Sequence, residues 1–394
     1  MGKTPHVALL IETSRSYGRA LLRGVRQYIS ERGPWSVYME LRALESKTPP
    51  WLKRWRGDGI LTRTASQAMA DAVRATGVPA VELRATKLEH DFPFVGVDNR
   101  ALGRMVAEHL VERGFRHFGV YEIDIEDYFE ERRENFVGTL RQSGFGCDVY
   151  HAPRRREKPA QWERQQDDLA AWLAELPKPV GLLACTDQLG FWLLDACHRA
   201  GVSVPEEAAV VGVENDESLC TMSSPPLSSV QFNGRRIGYE AAALLGRMMQ
   251  GEPPPQEQTL IEPLGIVTRL SSDVVAIEDK DLAAALRFIR RHACGGITVE
   301  DVLRAVPMSR SALERRMRHV LGRTPKAEIN RVKLNRVRQL LVETDLPLAA
   351  VARKAGFKHP QYMAEVFKQQ FGQSPGAYRS GAGAAWRRDA DRPA

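Results

Sequence analysis

Arg310, Ser311, Glu314 and Arg315 stand together at the start of one helical pattern, and His359, Gln361, Tyr362 and Glu365 open another farther along the chain. These residue types suit the edges of base pairs. Arg donates two hydrogen bonds to guanine, Gln pairs bidentately with adenine, and Glu accepts from cytosine in the major groove. Arg318 and Lys368, a turn or so further on, suit phosphate oxygens, which position a protein on a duplex without specifying sequence.

Two copies of one supersecondary unit would hold these groups in place. The first runs from Ile297 through Val302 and Leu303 to a turn at Val306-Pro307-Met308-Ser309, then a helix from Arg310 to Val320. The second runs from Leu346 to Ala352, turns at Lys354-Ala355-Gly356-Phe357, and continues from Pro360 to Phe371. Apolar residues at i, i+3 and i+4, a tight turn and a second helix with a polar face make a helix-turn-helix pattern. Ser309 predicts an N-cap, and Pro360 suits the first turn of its helix. Pro325 to Glu343 reads as one unbroken helix between the copies. A rigid link of that kind would set the two readers about one DNA turn apart, roughly 34 Å.

Charge follows the same division. Residues 281–394 hold 22 Lys+Arg against 10 Asp+Glu, a net of +12, and the remaining 280 hold 34 against 39, a net of −5. A basic module on a slightly acidic body is the electrostatic footprint of nucleic-acid binding, since each neutralised phosphate releases counterions.

The first 280 residues alternate short apolar runs with amphipathic helices. His6–Glu12 reads as a strand and precedes a helix with Leu21, Leu22, Val25, Tyr28 and Ile29 on one face; similar runs recur at Gly59–Leu61, Ala80–Leu83, Phe94–Asp98, Phe118–Tyr121, Gly181–Cys185 and Ala209–Val213. This rhythm predicts doubly wound parallel sheets, and the length favours two lobes over one.

Two family resemblances attach to these halves. The tail from about Asp281 to Arg379 resembles the DNA-binding domain of AraC/XylS regulators, most specifically at Gly356-Phe357, Tyr362, Val366-Phe367-Lys368, Phe371-Gly372, Ser374-Pro375 and Tyr378-Arg379. Met363 and Glu365 depart from that pattern, which holds Phe and often Arg there. Residues 5 to 270 resemble the effector-binding part of LacI/GalR repressors, at Val97-Asp98-Asn99-Arg100-Ala101-Leu102-Gly103, Thr186-Asp187-Gln188-Leu189-Gly190, Ala200-Gly201-Val202-Ser203-Val204-Pro205 and Val210-Val211-Gly212-Val213-Glu214-Asn215-Asp216. Those repressors carry their reader N-terminally; here it follows the sensor. A LacI-like sensor joined to an AraC-like tail resembles xylose-operon regulators, and that resemblance alone implies D-xylose as effector.

The expected fold is therefore an α/β two-lobed periplasmic-binding-protein-like sensor with parallel doubly wound sheets, joined to an all-α domain with two helix-turn-helix motifs. The sensor is expected over 1–272, with lobe one at about 5–121 and 231–254 and lobe two at about 122–230 and 255–270. A linker at 273–281, the reader at 282–380 and a tail at 381–394 complete it.

A pentose offers several hydroxyls and an apolar face, so it calls for carboxylates, guanidiniums and an aromatic wall, gathered outside the carboxyl ends of strands. Glu12, Ser14 and Tyr17 follow the first strand and Arg63 follows Gly59–Leu61. Asp187, Glu214, Asn215 and Gln231 follow later strands, and Arg133 is matched to the family's sugar-contacting arginine. Related chains commonly hold Asp at the Glu214 position. Each of these residues could equally be a helix cap or a surface charge, Asp187 above all.

Other patterns exclude more than they imply. Five scattered cysteines with no Cys-x-x-Cys indicate neither a zinc site nor a disulfide framework, and no cofactor or metal is expected. No signal-peptide pattern and no apolar run of membrane-spanning length is visible, so the expectation is cytoplasmic, with no membrane partner. Asp187 and Glu214 could be imagined as the carboxylate pair of a sugar-acting enzyme, but they serve equally as hydroxyl acceptors. The expected partners are double-stranded operator DNA, a small sugar, RNA polymerase and a second copy of the chain. A different sugar or nucleoside effector is the alternative, and a DNA-compacting protein indifferent to ligand is a third reading.

Overall fold

A computed structural model describes residues 4–44, 46–86, 88–123, 127–152, 159–274, 279–344 and 346–380. The tail at 381–394 and the middle of the expected linker, 275–278, lie outside the described residues. The chain divides into two compact units, Met1–Ala276 and Ile277–Ala394.

The first unit begins β1 (His6–Leu10), α1 (Ser16–Arg32), β2 (Ser36–Met39), β3 (Gly59–Thr62), α2 (Gln67–Arg74), β4 (Ala80–Glu82) and β5 (Val95–Val97). It continues α3 (Asn99–Glu112), β6 (His117–Ile123), α4 (Asp127–Gln142), β7 (Asp148–Ala152), α5 (Pro159–Glu175), β8 (Val180–Ala184) and α6 (Asp187–Arg199). It ends with β9 (Ala208–Glu214), α7 (Glu217–Met222), β10 (Ser228–Gln231), α8 (Gly234–Met249), β11 (Thr259–Ile261) and β12 (Gly265–Val267).

These strands form two lobes. One sheet has the order β2-β1-β3-β4, extended through a Glu82–Phe94 bridge to the β5-β11 pair, and the other runs β12-β10-β9-β8-β6-β7. All pairings are parallel except β10–β12. The chain therefore crosses between lobes after β5, after β10 and after β11. That moves two expected boundaries. The run at 117–121 belongs to the second lobe, where β6 sits between β7 and β8, and residues 259–261 belong to the first, paired with β5. A buried apolar strand carries no mark of which sheet it joins, and three-residue strands are too short for any period to declare itself.

Close helix packing stiffens the first lobe. A Cβ at Gly24 would stand 2.0 Å from the Arg235 carbonyl oxygen, and one at Gly238 would stand 2.0 Å from that of Leu21. The two glycines let α1 and α8 meet backbone to backbone.

The second unit holds α9 (Lys280–His292), α10 (Val299–Ala305), α11 (Arg310–Leu321), α12 (Pro325–Glu343), α13 (Leu348–Lys354) and α14 (Pro360–Phe371). It has two separate cores. Leu282, Leu286, Ile289, Val302, Leu313 and Met317 pack on Ile329, near the start of α12. Leu334, Val337, Leu340 and Leu341, further along the same helix, pack with Val351, Met363 and Phe367. The Ser309 hydroxyl accepts from the Ala312 N–H, and Pro360 occupies the first turn of α14, both as the sequence predicts.

Candidate functional site

A narrow cleft, partly open to solvent, lies where the carboxyl ends of both sheets face each other. The loop after β1 contributes Arg15, the first turn of α1 contributes Tyr17, and the loop after β3 contributes Arg63. Leu83, Arg84 and Ala85 follow β4, and Val97 and Asn99 flank the first crossing. The second lobe adds Tyr128 and Arg132 from α4 and Glu214 at the end of β9; Phe232 sits on the second crossing.

Two arginines organise the cavity. The buried Arg63 guanidinium is ion-paired with Glu12 and lies 4.9 Å from the Tyr17 ring centre. Burial alone would disfavour the Arg63 cation, but the neighbouring carboxylates, Glu12 first, outweigh it and hold the group protonated. Arg132 Nε donates to Asn99 Oδ1 at 2.9 Å and Nη1 to the Cys185 carbonyl at 2.6 Å. Its guanidinium stands 4.7 Å from the Tyr128 ring and 5.4 Å from Phe232. Cationic and aromatic groups thus alternate around the wall, suited to an apolar sugar face and its hydroxyls. Burial pushes the Tyr17 hydroxyl up to about 12, so it stays a neutral donor and acceptor.

Glu214 is the carboxylate of the lining. Its backbone φ is 110°, and Asn215 follows at 51°. A left-handed glutamate is strained and persists only where its surroundings hold it, a recurrent feature of ligand sites. Burial raises the Glu214 carboxyl against the pull of Arg15, Arg132 and Arg63.

Tyr17, Arg63 and Glu214 are brought together as expected. Glu12 lies behind the wall, 1% exposed, and acts through Arg63. Ser14 and Gln231 are exposed and do not line the cavity, and neither does Asn215, whose N–H donates to Ser229 Oγ at 3.0 Å.

Arg133 also stands elsewhere. It pairs with Glu122 at the β6–β7 edge, where His151 Nδ1 lies 2.8 Å from the same carboxylate. Successive helix residues point about 100° apart, so the neighbouring Arg132 takes the cavity position instead.

Asp187 is fully buried behind Glu214 rather than on the wall. It accepts from the Asp216 N–H at 2.6 Å and from Ser229 Oγ, while Thr186, not Asp187, caps α6. Asp216 in turn accepts from Ser16 Oγ at 2.9 Å, a hydrogen bond from the first lobe to the second. Asn99, Arg132 and Phe232 carry no local signal of their role; only the crossing of the chain brings them to the wall.

In the second unit the expected base-reading residues lie on the outer faces of α11 and α14. Arg310, Ser311, Arg315, Arg318, His359, Gln361, Glu365 and Lys368 are exposed and Glu314 is half-buried. Tyr362 is 43% exposed, which places it on the reading face, while Met363 beside it is fully buried in the core. Arg310 pairs with Glu300 at 2.6 Å, and Glu314 lies 3.8 Å from Arg318.

A periplasmic binding protein-like domain model matches residues 107–272, and a helix-turn-helix domain model matches 302–381. The xylose operon regulatory protein of Escherichia coli K12 is 32% identical over 96% of this chain and 97% of its own length. The chain belongs to the xylose operon regulatory protein family. The Haemophilus influenzae member is 30% identical over 95% of this chain and 97% of its own length. A solved structure of the xylose-binding transcription activator XylR matches with a TM-score of 0.79 at 30% identity, covering 96% of this chain and 98% of that one. As a member of this family the chain is a DNA-binding transcription regulator, not an enzyme. Among the described residues no helix is long and apolar enough to cross a membrane.

Proposed function

We propose that this chain is a sugar-responsive transcription activator in which a monosaccharide fills the cavity between the lobes. D-xylose, named for its relatives, is the reference effector. The observation that carries this is the wall itself. Donors from Arg63 and Arg132, an acceptor at Glu214, and aromatic faces at Tyr17, Tyr128 and Phe232 converge at the carboxyl ends of two parallel sheets. Arg63 Nε is buried without a hydrogen-bond partner among the described residues, a donor suited to a sugar hydroxyl.

Sugar contacts to both lobes favour their closed arrangement, and the effector shifts that equilibrium only by its differential affinity, about 1–3 kcal/mol of coupling. The reader then engages operator DNA in the cytoplasm through base contacts from Arg310, Ser311, Glu314, Arg315, His359, Gln361, Tyr362 and Glu365, with Arg318 and Lys368 on phosphates. A homodimer acting on two half-sites and recruiting RNA polymerase is the assembly we propose.

Calorimetric titration of the full chain with D-xylose, L-arabinose, D-ribose and D-glucose tests the sensor, alongside Arg132→Ala. Saturable binding lost in the variant is the expected result; silence across all four sugars would overturn the sensor assignment.

A further inference from the structure

Glu328, in the first turn of α12, is a carboxylate only 1% exposed within the second unit. A buried carboxylate is costly unless it is paired. Arg331, one turn on, forks onto it, Nε donating to Oε2 at 2.9 Å and Nη2 to Oε1 at 2.8 Å. Arg323, in the turn that joins α11 to α12, brings Nε to 2.7 Å from Oε2. Burial pushes the Glu328 carboxyl up, but the Arg331 hydrogen bonds and the charges of Arg331, Arg323 and Arg290 more than offset it and hold the group ionised. Arg290 belongs to α9, so one carboxylate draws on α9, on the α11–α12 turn and on α12 itself.

The second reader shows what this position does. Leu321-Gly322, Thr324-Pro325 and Glu328 stand in the register of Phe371-Gly372, Ser374-Pro375 and Tyr378, fifty residues on. Gly322 and Gly372 both take left-handed backbone, at φ 68° and 74°, and end α11 and α14. Thr324 Oγ1 accepts from the Ala327 N–H at 3.2 Å, and Ser374 Oγ from the Ala377 N–H at 3.2 Å. The turns after the two reading helices are thus built alike, but they are locked differently. The Tyr378 ring packs edge-on against Phe367 at 5.5 Å and lies 6.3 Å from Phe371, both on α14. Glu328 replaces that aromatic lock with an ionic one. A buried ionic cluster is a poor source of net stability, whereas forked guanidinium–carboxylate bonds fix angles as well as distances.

We infer that Glu328, through Arg323, is a positioning residue for base reading by α11, and that the first reader owes its sequence discrimination to this ionic lock. The turn at Arg323 sets the angle between α11 and α12, and with it the presentation of Arg310, Ser311, Glu314 and Arg315. This rests on the assignment of base contacts to α11 and α14.

The test uses the full chain on a duplex that it selects from a random-sequence pool, and on every single-base-pair variant of that duplex. Arg315→Ala and Gln361→Ala mark the base pairs read by α11 and by α14. Glu328→Gln and Arg323→Gln should each weaken discrimination at the α11 base pairs by about fivefold, the low end of what one base contact contributes. Discrimination at the α14 base pairs and the salt slope should stay as in the parent, and Arg323→Lys should restore most of the loss. A merely structural role would lower discrimination at both readers alike. The Arg323 side chain is 37% exposed, which keeps the test independent of whether Glu328→Gln folds.

Arg323→Gln discriminating like the parent at the α11 base pairs, or losing equally at both readers, would overturn the inference. So would a salt slope lower by about 0.9 in Arg323→Gln, which would make Arg323 a phosphate contact. A chain whose base discrimination is untouched by both Arg315→Ala and Gln361→Ala would overturn the base-contact assignment along with it.

Discussion

The Ser16 hydroxyl donates to Asp216 Oδ2 across 2.9 Å, so the start of α1 in the first lobe is tied directly to the cap of α7 in the second. This bond spans the cleft and exists only while the lobes are close.

Ser16→Ala should therefore weaken effector binding without touching the effector. One hydrogen bond of this kind contributes about 0.5–1.5 kcal/mol net, a two- to tenfold loss of affinity. Titration calorimetry reads the loss and a thermal melt confirms that the fold is unchanged. Unaltered affinity would show that the bond does not report closure.

Arg132→Ala and Arg133→Ala form a contrasting pair. The first removes a cavity wall and strands Asn99 Oδ1 and the Cys185 carbonyl, at about 1–3 kcal/mol per unsatisfied buried group. It should abolish effector binding and lower the melting temperature. The second breaks an ion pair at the β6–β7 edge and should bind effector as the parent does. Equal losses in both would return Arg133 to the site.

The buried Asp187 carboxyl gives stability a pH dependence. Burial pushes it up to about 8, from an ordinary value near 3.8. The folded protein then binds a proton that the unfolded chain has released between those values, so this contribution is full below about pH 4 and is lost as pH rises through 8. Asp187→Asn keeps both an acceptor for the Asp216 N–H and a partner for Ser229, so it should flatten the decline between pH 5 and 8. Denaturant titrations across that range check it, and an unchanged slope would assign the decline to other groups.

On DNA, Lys368→Ala should lower affinity for all sequences and reduce the salt slope by about 0.9, one released counterion. Gln361→Ala should instead cost about 1–3 kcal/mol at a single base pair and leave the slope unchanged. Binding curves on an operator and its single-site variants, at several salt concentrations, separate the two.

The reader was far more legible in the sequence than the effector site. Helix period, caps and turns are local, so Ser309, Pro360 and the polar faces of α11 and α14 could be placed from spacing alone. The cavity depends on contacts between distant segments. Tyr17 and Arg63 follow strands directly and could be named, whereas Asn99 and Phe232 reach the wall only because the chain crosses between lobes there. Arg133 is matched through the family resemblance and stands one residue from Arg132, which lines the cleft; such a match carries no helical phase. Asp187 has the residue type of a cap, but Thr186 takes that place and Asp187 lies buried against Ser229, which no pattern along the chain announces.

The continuous helix α12 carries part of one reader's core at Ile329 and part of the other's from Leu334 onward. The angular register of the two reading helices on a duplex is therefore fixed by residue count. One residue inserted between Ile329 and Leu334 would turn the second reader by about 100° and advance it by only 1.5 Å. Spacing along the DNA would hardly change, yet the second reader would face away from its groove. Operator length and the length of this helix are thus constrained to evolve together, as teeth and pitch are in a gear.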